Sequence, residues 1–222
     1  MSEQWDTLIL TASHEAQASA YRSQLDLRRR LGLLSGVGEV LVVADPQGRR
    51  VGSGGSTIHC LLQLLQRHLR GSADRNDTSS WMEYFRRRRI LIVHAGGDSR
   101  RLPAYGPCGK VFVPVPGQGD SALPITLFDR QLPTYLALPA SPAGAGQVVI
   151  ASGDVLLRFD PAAVRFDSPG VTGLGCGASP ADASAHGVYA AGADGVVRLF
   201  LQKPTPDSQI RADAVDRYGQ SI

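Results

Sequence analysis

Cysteine is scarce in this chain of 222 residues: Cys60, Cys108 and Cys176 are odd in number, widely spaced and form no CxxC pair. That pattern argues against a disulfide-stapled scaffold and offers neither a zinc ribbon nor a dithiol couple, so reduced thiols in a cytoplasmic protein are expected. Long apolar runs are missing as well. Nothing approaches the ~18–20 uninterrupted apolar residues of a membrane span, and no membrane partner is expected. The opening Met-Ser-Glu-Gln-Trp-Asp is short and acidic, without the apolar stretch of a signal peptide. Charge of one sign is in short supply too. With 23 Lys and Arg against 20 Asp and Glu the net charge is only +3, too little to imply a nucleic-acid partner. The one basic run, residues 86–89, reads as the solvated end of a helix near residues 81–85, where cations complement the helix dipole. No internal repeat of 20–50 residues is present, which excludes solenoids and propellers.

Glycine (25 residues) and proline (14) are plentiful, scattered between apolar runs without the period of a fibrous protein. A hydrophobic content of 43% against 19% charged is that of a globular chain with one substantial core. Residues 7–10 form a short apolar run with β-forming bias. Ser13 then stands as the candidate cap of a helix reaching about Leu34, with Ala18, Tyr21 and Leu25 at helical spacing. Residues 40–44 are a continuous apolar strand. This β–α–β order predicts an α/β fold, a mostly parallel (mixed) sheet flanked by helices. Further along, residues 52–57 read as a glycine loop and 58–69 as a helix with a leucine face. Residues 90–94 read as a strand, 125–138 as a helix interrupted by Pro133, and 148–151 as a second buried-type strand. Residues 171–176 are a candidate strand, and 187–190 with 196–202 a hairpin about Asp194-Gly195. The tail, 207–222, is polar, and no second region with its own core is legible.

Two glycine-rich segments follow strands, Gly-Ser-Gly-Gly-Ser-Thr at 52–57 and His-Ala-Gly-Gly-Asp-Ser-Arg-Arg-Leu-Pro at 94–103. In an open α/β sheet, ligands bind beyond the carboxyl ends of the strands. Glycines let backbone N–H groups approach phosphate oxygens, and a helix start adds partial positive charge. Arg100, Arg101 and Lys110 can neutralise a triphosphate and the charge that develops as pyrophosphate departs. A Walker-type loop is excluded because Val111 follows Lys110, and a dinucleotide fingerprint because residues 52–55 lack its third glycine. Asp154, just after the strand at 148–151, has a plain reading as a strand-end Asx turn. Cys108 has no base beside it and is not read as a nucleophile. Trp5, Trp81 and the leucines of 61–69 are read as core.

With Gly109-Lys110, the block at 94–103 resembles the Gly-rich signature of the GT-A-like (Rossmann-like) sugar nucleotidyltransferases. More narrowly, it is similar to fucose-1-phosphate guanylyltransferases and to the N-terminal domain of bifunctional L-fucokinase/GDP-fucose pyrophosphorylases. Residues 52–57, Ala-Ser-Gly-Asp at 151–154, His-Gly-Val at 186–188 and Phe-Leu-Gln-Lys-Pro at 200–204 agree in order. The resemblance implies guanylyl transfer from GTP to L-fucose 1-phosphate, giving GDP-fucose and pyrophosphate, with Mg²⁺ and without a protein nucleophile. It implies that Gly96, Gly97, Ser99, Arg100 and Arg101 hold the triphosphate, that Lys110 meets the α-phosphate and Lys203 the sugar phosphate. Gly52, Ser53, Gly54 and Gly55 would lie beside the nucleotide, Asp154 on the metal, and His186 and Gly187 in the sugar pocket. His186 as a loop residue and Lys203 as a surface lysine are the plainer alternatives. Gln202 stands where the wider superfamily often has Glu.

The family's domain continues past the position of Ile222, so residues 1–222 are expected to be one nucleotidyltransferase-like domain, incomplete at its C-terminus. In bifunctional members a fucokinase domain follows in the longer parent chain. A second reading is a non-catalytic nucleotide- or sugar-binding regulatory domain of an L-fucokinase, to whose opening residues 5–11 and 24–30 are similar. Another sugar, or another nucleoside triphosphate as donor, stays open on the residues alone.

Overall fold

A computed structural model describes residues 5–68, 77–97, 103–106, 109–119, 121–142, 145–167 and 170–222. The chain divides into two compact units, Met1–Ser168 and Pro169–Ile222.

The first unit is built on four parallel strands, β1 (Trp5–Ala12), β2 (Val37–Ala44), β3 (Arg89–His94) and β4 (Gln147–Ser152), in the order β2-β1-β3-β4. Strict alternation sorts their side chains. Leu8, Leu10, Leu91 and Val93 face one side of the sheet, where they pack with Ala18, Tyr21 and Leu25 of α1 (Glu15–Arg30). Phe128, Leu132 and Tyr135 of α4 (Leu127–Leu136) join the same cluster. Ile9, Ile90 and Ile92 face the other side and meet Cys60 and Leu64 of α2 (Gly52–His68), with Tyr84 and Phe85 of α3 (Thr78–Arg86) beside them. Burial pushes the Cys60 thiol up to about 12, which makes it an inert core group. Trp5 is fully buried, whereas Trp81 is half-buried and Leu62 is exposed on α2.

Several sequence expectations need correction. His14, not Ser13, caps α1: its Nδ1 accepts from the Gln17 amide at 3.2 Å. Residues 52–57 are not a loop but the first turns of α2. Glycine and serine are weak helix formers, yet burying Ser56, Cys60, Leu64 and Leu65 outweighs that local preference. β4 is not a buried strand either. It lies at the sheet edge, with Val148 39% and Ile150 55% exposed, because helices cover only its Gln147 and Ala151 side. The basic run is only half solvated: Arg86 and Arg87 are exposed, while Arg88 pairs with Asp6 at 3.1 Å and Arg89 stacks over Trp5.

In the second unit, β5 (Gly187–Ala191) and β6 (Val197–Gln202) form the expected antiparallel hairpin. Short helices α5 (Pro180–Ala183) and α6 (Pro206–Arg211) flank it around Ala183, Val188, Ala190 and Ala214. Gln209 is fully buried and satisfied by Pro180 O, Pro204 O and the Ser221 hydroxyl. Residues 171–176 form no strand: they lie exposed and without ladder partners, in a run interrupted by glycine.

Candidate functional site

The order β2-β1-β3-β4 reverses direction at β1, so the carboxyl ends of β1 and β3 form the crevice where such sheets bind ligands. The end of β1 and the residue after it supply hydroxyls, and the chain after β3 supplies amides. Thr11 Oγ1 accepts from Ala95 N at 3.1 Å and Gly96 N at 3.4 Å, and Ser13 Oγ accepts from Gly97 N at 2.5 Å. Gln17 completes the frame, accepting from Ser13 N at 2.8 Å and donating to Gly97 O at 3.2 Å. Tyr21 donates to Ala95 O at 2.7 Å. The glycine pair is thus held from both its amide and carbonyl sides.

Facing it is a short 3-10 turn, Lys110–Phe112, entered through Gly109 at φ 66. A Cβ at position 109 would collide with the Tyr21 hydroxyl, so left-handed backbone and lack of room both demand glycine. Lys110 Nζ lies 3.3 Å from Asp154 Oδ2. The Ser152 hydroxyl donates to Asp154 Oδ1 at 2.8 Å, and this bond, with Lys110, holds the Asp154 carboxyl below the usual carboxylate range. Gly96, Gly97, Lys110, Gly153 and Asp154 line one open polar recess with His94. At its wall, His94 Nε2 is 2.9 Å from Thr57 Oγ1, and burial lowers the imidazole pKa against the opposing pull of Asp45. The ring is therefore neutral near pH 7.

Of the residues singled out in the sequence, the structure places Gly96, Gly97, Lys110 and Asp154 around one recess. Gly52, Ser53, Gly54 and Gly55 do not line this recess; Thr57, one turn further along α2, is the residue that reaches His94. Ser99, Arg100, Arg101 and Cys108 lie outside the described residues. Among the described residues no three His, Cys, Asp or Glu side chains cluster as a metal cage. A single ionised, half-exposed carboxylate at the rim fits Mg²⁺, which is commonly bound by one or two carboxylates together with substrate phosphates and water.

The other three predicted residues belong to the second unit. His186, Gly187 and Lys203 meet at the open end of the hairpin, where Lys203 N donates to His186 O at 2.9 Å. Gly187 has a packing reason of its own, since a Cβ there would strike the Phe200 ring. Lys203 adopts φ 49 immediately before Pro204, a left-handed conformation costly for a non-glycine residue and of the kind that clusters at functional positions.

Sequence reasoning missed Thr11, Ser13 as a loop acceptor, Gln17 and Tyr21; Thr57 it took only as the end of the glycine segment 52–57. Their signal was faint: hydroxyls directly after an apolar strand, then polar residues four apart on a helix.

A family model described as a fucose pyrophosphorylase domain matches residues 83–221. The bifunctional fucokinase/GDP-fucose pyrophosphorylase of Arabidopsis thaliana is 29% identical, over 98% of this chain and 22% of its own length. The fucose-1-phosphate guanylyltransferase of Mus musculus is 30% identical, over 98% of this chain and 37% of its own. The L-fucokinase/L-fucose-1-P guanylyltransferase of Bacteroides fragilis is 32% identical, over 73% of this chain and 17% of its own. The chain therefore spans well under half the length of the curated relatives it matches. No solved structure matches it. The matched segment takes in the glycine loop after β3, Lys110, Asp154 and the whole β5–β6 hairpin, and the chain belongs to the fucose pyrophosphorylase family.

Proposed function

We propose that this chain carries the nucleotide-binding part of a fucose-1-phosphate guanylyltransferase, which transfers a guanylyl group from GTP to L-fucose 1-phosphate. A phosphate oxygen of the sugar phosphate attacks the α-phosphorus of GTP, the bond to the β-phosphate oxygen breaks, and pyrophosphate leaves. No protein nucleophile enters, so catalysis is positioning and charge stabilisation.

The observation that carries this reading is Lys110 facing the Gly96-Gly97 loop at the switch point of the sheet, beside the ionised Asp154. Lys110 stabilises charge at the α-phosphate. Arg101, Arg100 and Ser99 grip the triphosphate, and the amino-terminal turns of α2, residues 52–55, lend their positive end to the nucleotide. Asp154 would hold Mg²⁺ with phosphate oxygens, and the ion would neutralise phosphate charge. Lys203, His186 and Gly187 take the sugar phosphate. The pairing of the activity with a fucokinase domain in a longer parent chain, and a cytoplasmic setting, belong to the same reading. Among the described residues no helix is long and apolar enough to cross a membrane.

Calorimetric titration with GTP, UTP and ATP in Mg²⁺ tests the proposal, with pyrophosphate release on adding L-fucose 1-phosphate as the second readout. GTP binding that weakens sharply in Lys110→Ala supports it. Absence of triphosphate binding at millimolar concentration overturns it, and GTP binding without pyrophosphate release points instead to a non-catalytic module of an L-fucokinase.

A further inference from the structure

Helix α1 adds no residue to the lining of the recess, yet one of its faces touches both halves. Gln17 and Tyr21 stand one turn apart and so share that face, and both are buried, at 3% and 0% exposure. Gln17 grips the chain at Ser13 N and Gly97 O. Tyr21 holds Ala95 O, and its hydroxyl fills the space over Gly109, directly before Lys110. Its ring meets Phe112, two residues beyond Lys110, edge-on at 5.5 Å between centroids.

The Lys110–Asp154 pair cannot supply this order by itself. Its side chains are 38% and 51% exposed, and ion pairs in such surroundings fix little. A triphosphate site needs its donors held before the ligand arrives, and buried neighbours with locked side chains are what hold them.

We propose that Gln17 and Tyr21 are positioning residues that set the separation between the Gly96-Gly97 loop and Lys110, and thereby the grip on the nucleoside triphosphate. This rests on the guanylyltransferase reading. Neither side chain touches the nucleotide; both act through backbone that does.

The test is Tyr21→Phe, which keeps the ring in the core and removes only the hydroxyl, alone and combined with Lys110→Ala. GTP affinity by calorimetry is expected to fall about tenfold, the order of effect for losing a buried hydrogen bond such as that to Ala95 O. If Tyr21 acts through Lys110, Tyr21→Phe adds little in the Lys110→Ala background. A merely structural tyrosine would give additive losses or an unchanged affinity, and either result overturns the proposal. Amide hydrogen exchange of the nucleotide-free protein is the independent arm. Faster exchange at Gly97 and Phe112 in Tyr21→Phe supports the proposal, and unchanged exchange at both overturns it. A wild-type chain that binds no GTP overturns the guanylyltransferase reading, while the exchange arm still decides whether Tyr21 holds the two segments.

Discussion

At the scale of single residues, chemistry and conformation converge on positions 109 and 110. Gly109 is confined by backbone sign and by the Tyr21 hydroxyl together. Gly109→Ala is expected to cost about 1–3 kcal/mol through strain and overpacking, read as a lowered melting temperature. Lys110→Ala removes a cation from a recess and not from the core, so its melting temperature should stay close to wild type. On the guanylyltransferase proposal, pyrophosphate release should nevertheless fall roughly 10²–10³-fold, the range for losing one charge-stabilising group. The two variants thus separate a residue that shapes the site from one that acts in it.

At the scale of elements, the Lys110–Phe112 turn is seated on a buried ion pair between α1 and α4. Arg28 is 1% exposed and bonds Asp129 through two of its three guanidinium nitrogens, Nε to Oδ1 at 2.6 Å and Nη2 to Oδ2 at 2.7 Å, with its guanidinium 4.8 Å from the Phe112 ring centroid. Thr126 and Asp129 also close a capping box at the start of α4. Asp129→Ala leaves Arg28 buried without its partner and should destabilise the first unit by about 3–5 kcal/mol. The double change Arg28→Met with Asp129→Leu should recover most of that, because neither charge then needs solvating. Burial raises the Asp129 pKa, but the Arg28 and Thr126 hydrogen bonds outweigh it and the net shift is downward from 3.8. A depressed carboxylate stabilises the fold above its unfolded pKa and loses that contribution as pH falls through the folded value. The stability gap between wild type and Asp129→Asn should therefore be full at pH 6 and shrink steadily below about pH 4, in denaturant titrations at each pH.

At the scale of the whole molecule, each compact unit has buried clusters of its own. Leu64 is fully buried in the cluster under α2, and Leu64→Ala should cost about 2–5 kcal/mol there. Gln209 ties the second unit together through three hydrogen bonds, and Gln209→Leu leaves those partners unsatisfied. Hydrogen exchange should then accelerate in β1 and β3 for the first variant and in β5 and β6 for the second. Coincident acceleration throughout the chain would mean that the units unfold as one.

The apolar runs that became β1 and β3 were legible in the sequence because a strand buried on both faces is apolar at nearly every position, and β2, half-buried at the other sheet edge, was legible from its apolar run at residues 40–44. The glycine pair after β3 and Gly109-Lys110 were legible for a similar reason, since phosphate-binding chemistry requires particular residues at short spacing. Residues 52–57 were misread because local propensity is weak, and burial of Cys60 and Leu64 against Ile9 and Ile92 overrides it. The edge position of β4 was hidden because strand order is a long-range property that no window of residues contains. The frame of Thr11, Ser13, Gln17 and Tyr21 was hidden for the same reason: its hydrogen bonds to the segment after β3 join residues some 74–85 positions apart. Local pattern was enough to find the strands of the parallel sheet, though not to exclude one at residues 171–176, and to mark the glycine loop after β3; only the folded sheet brings β1 beside β3 and turns two hydroxyls, an amide and a phenol into the support of that loop.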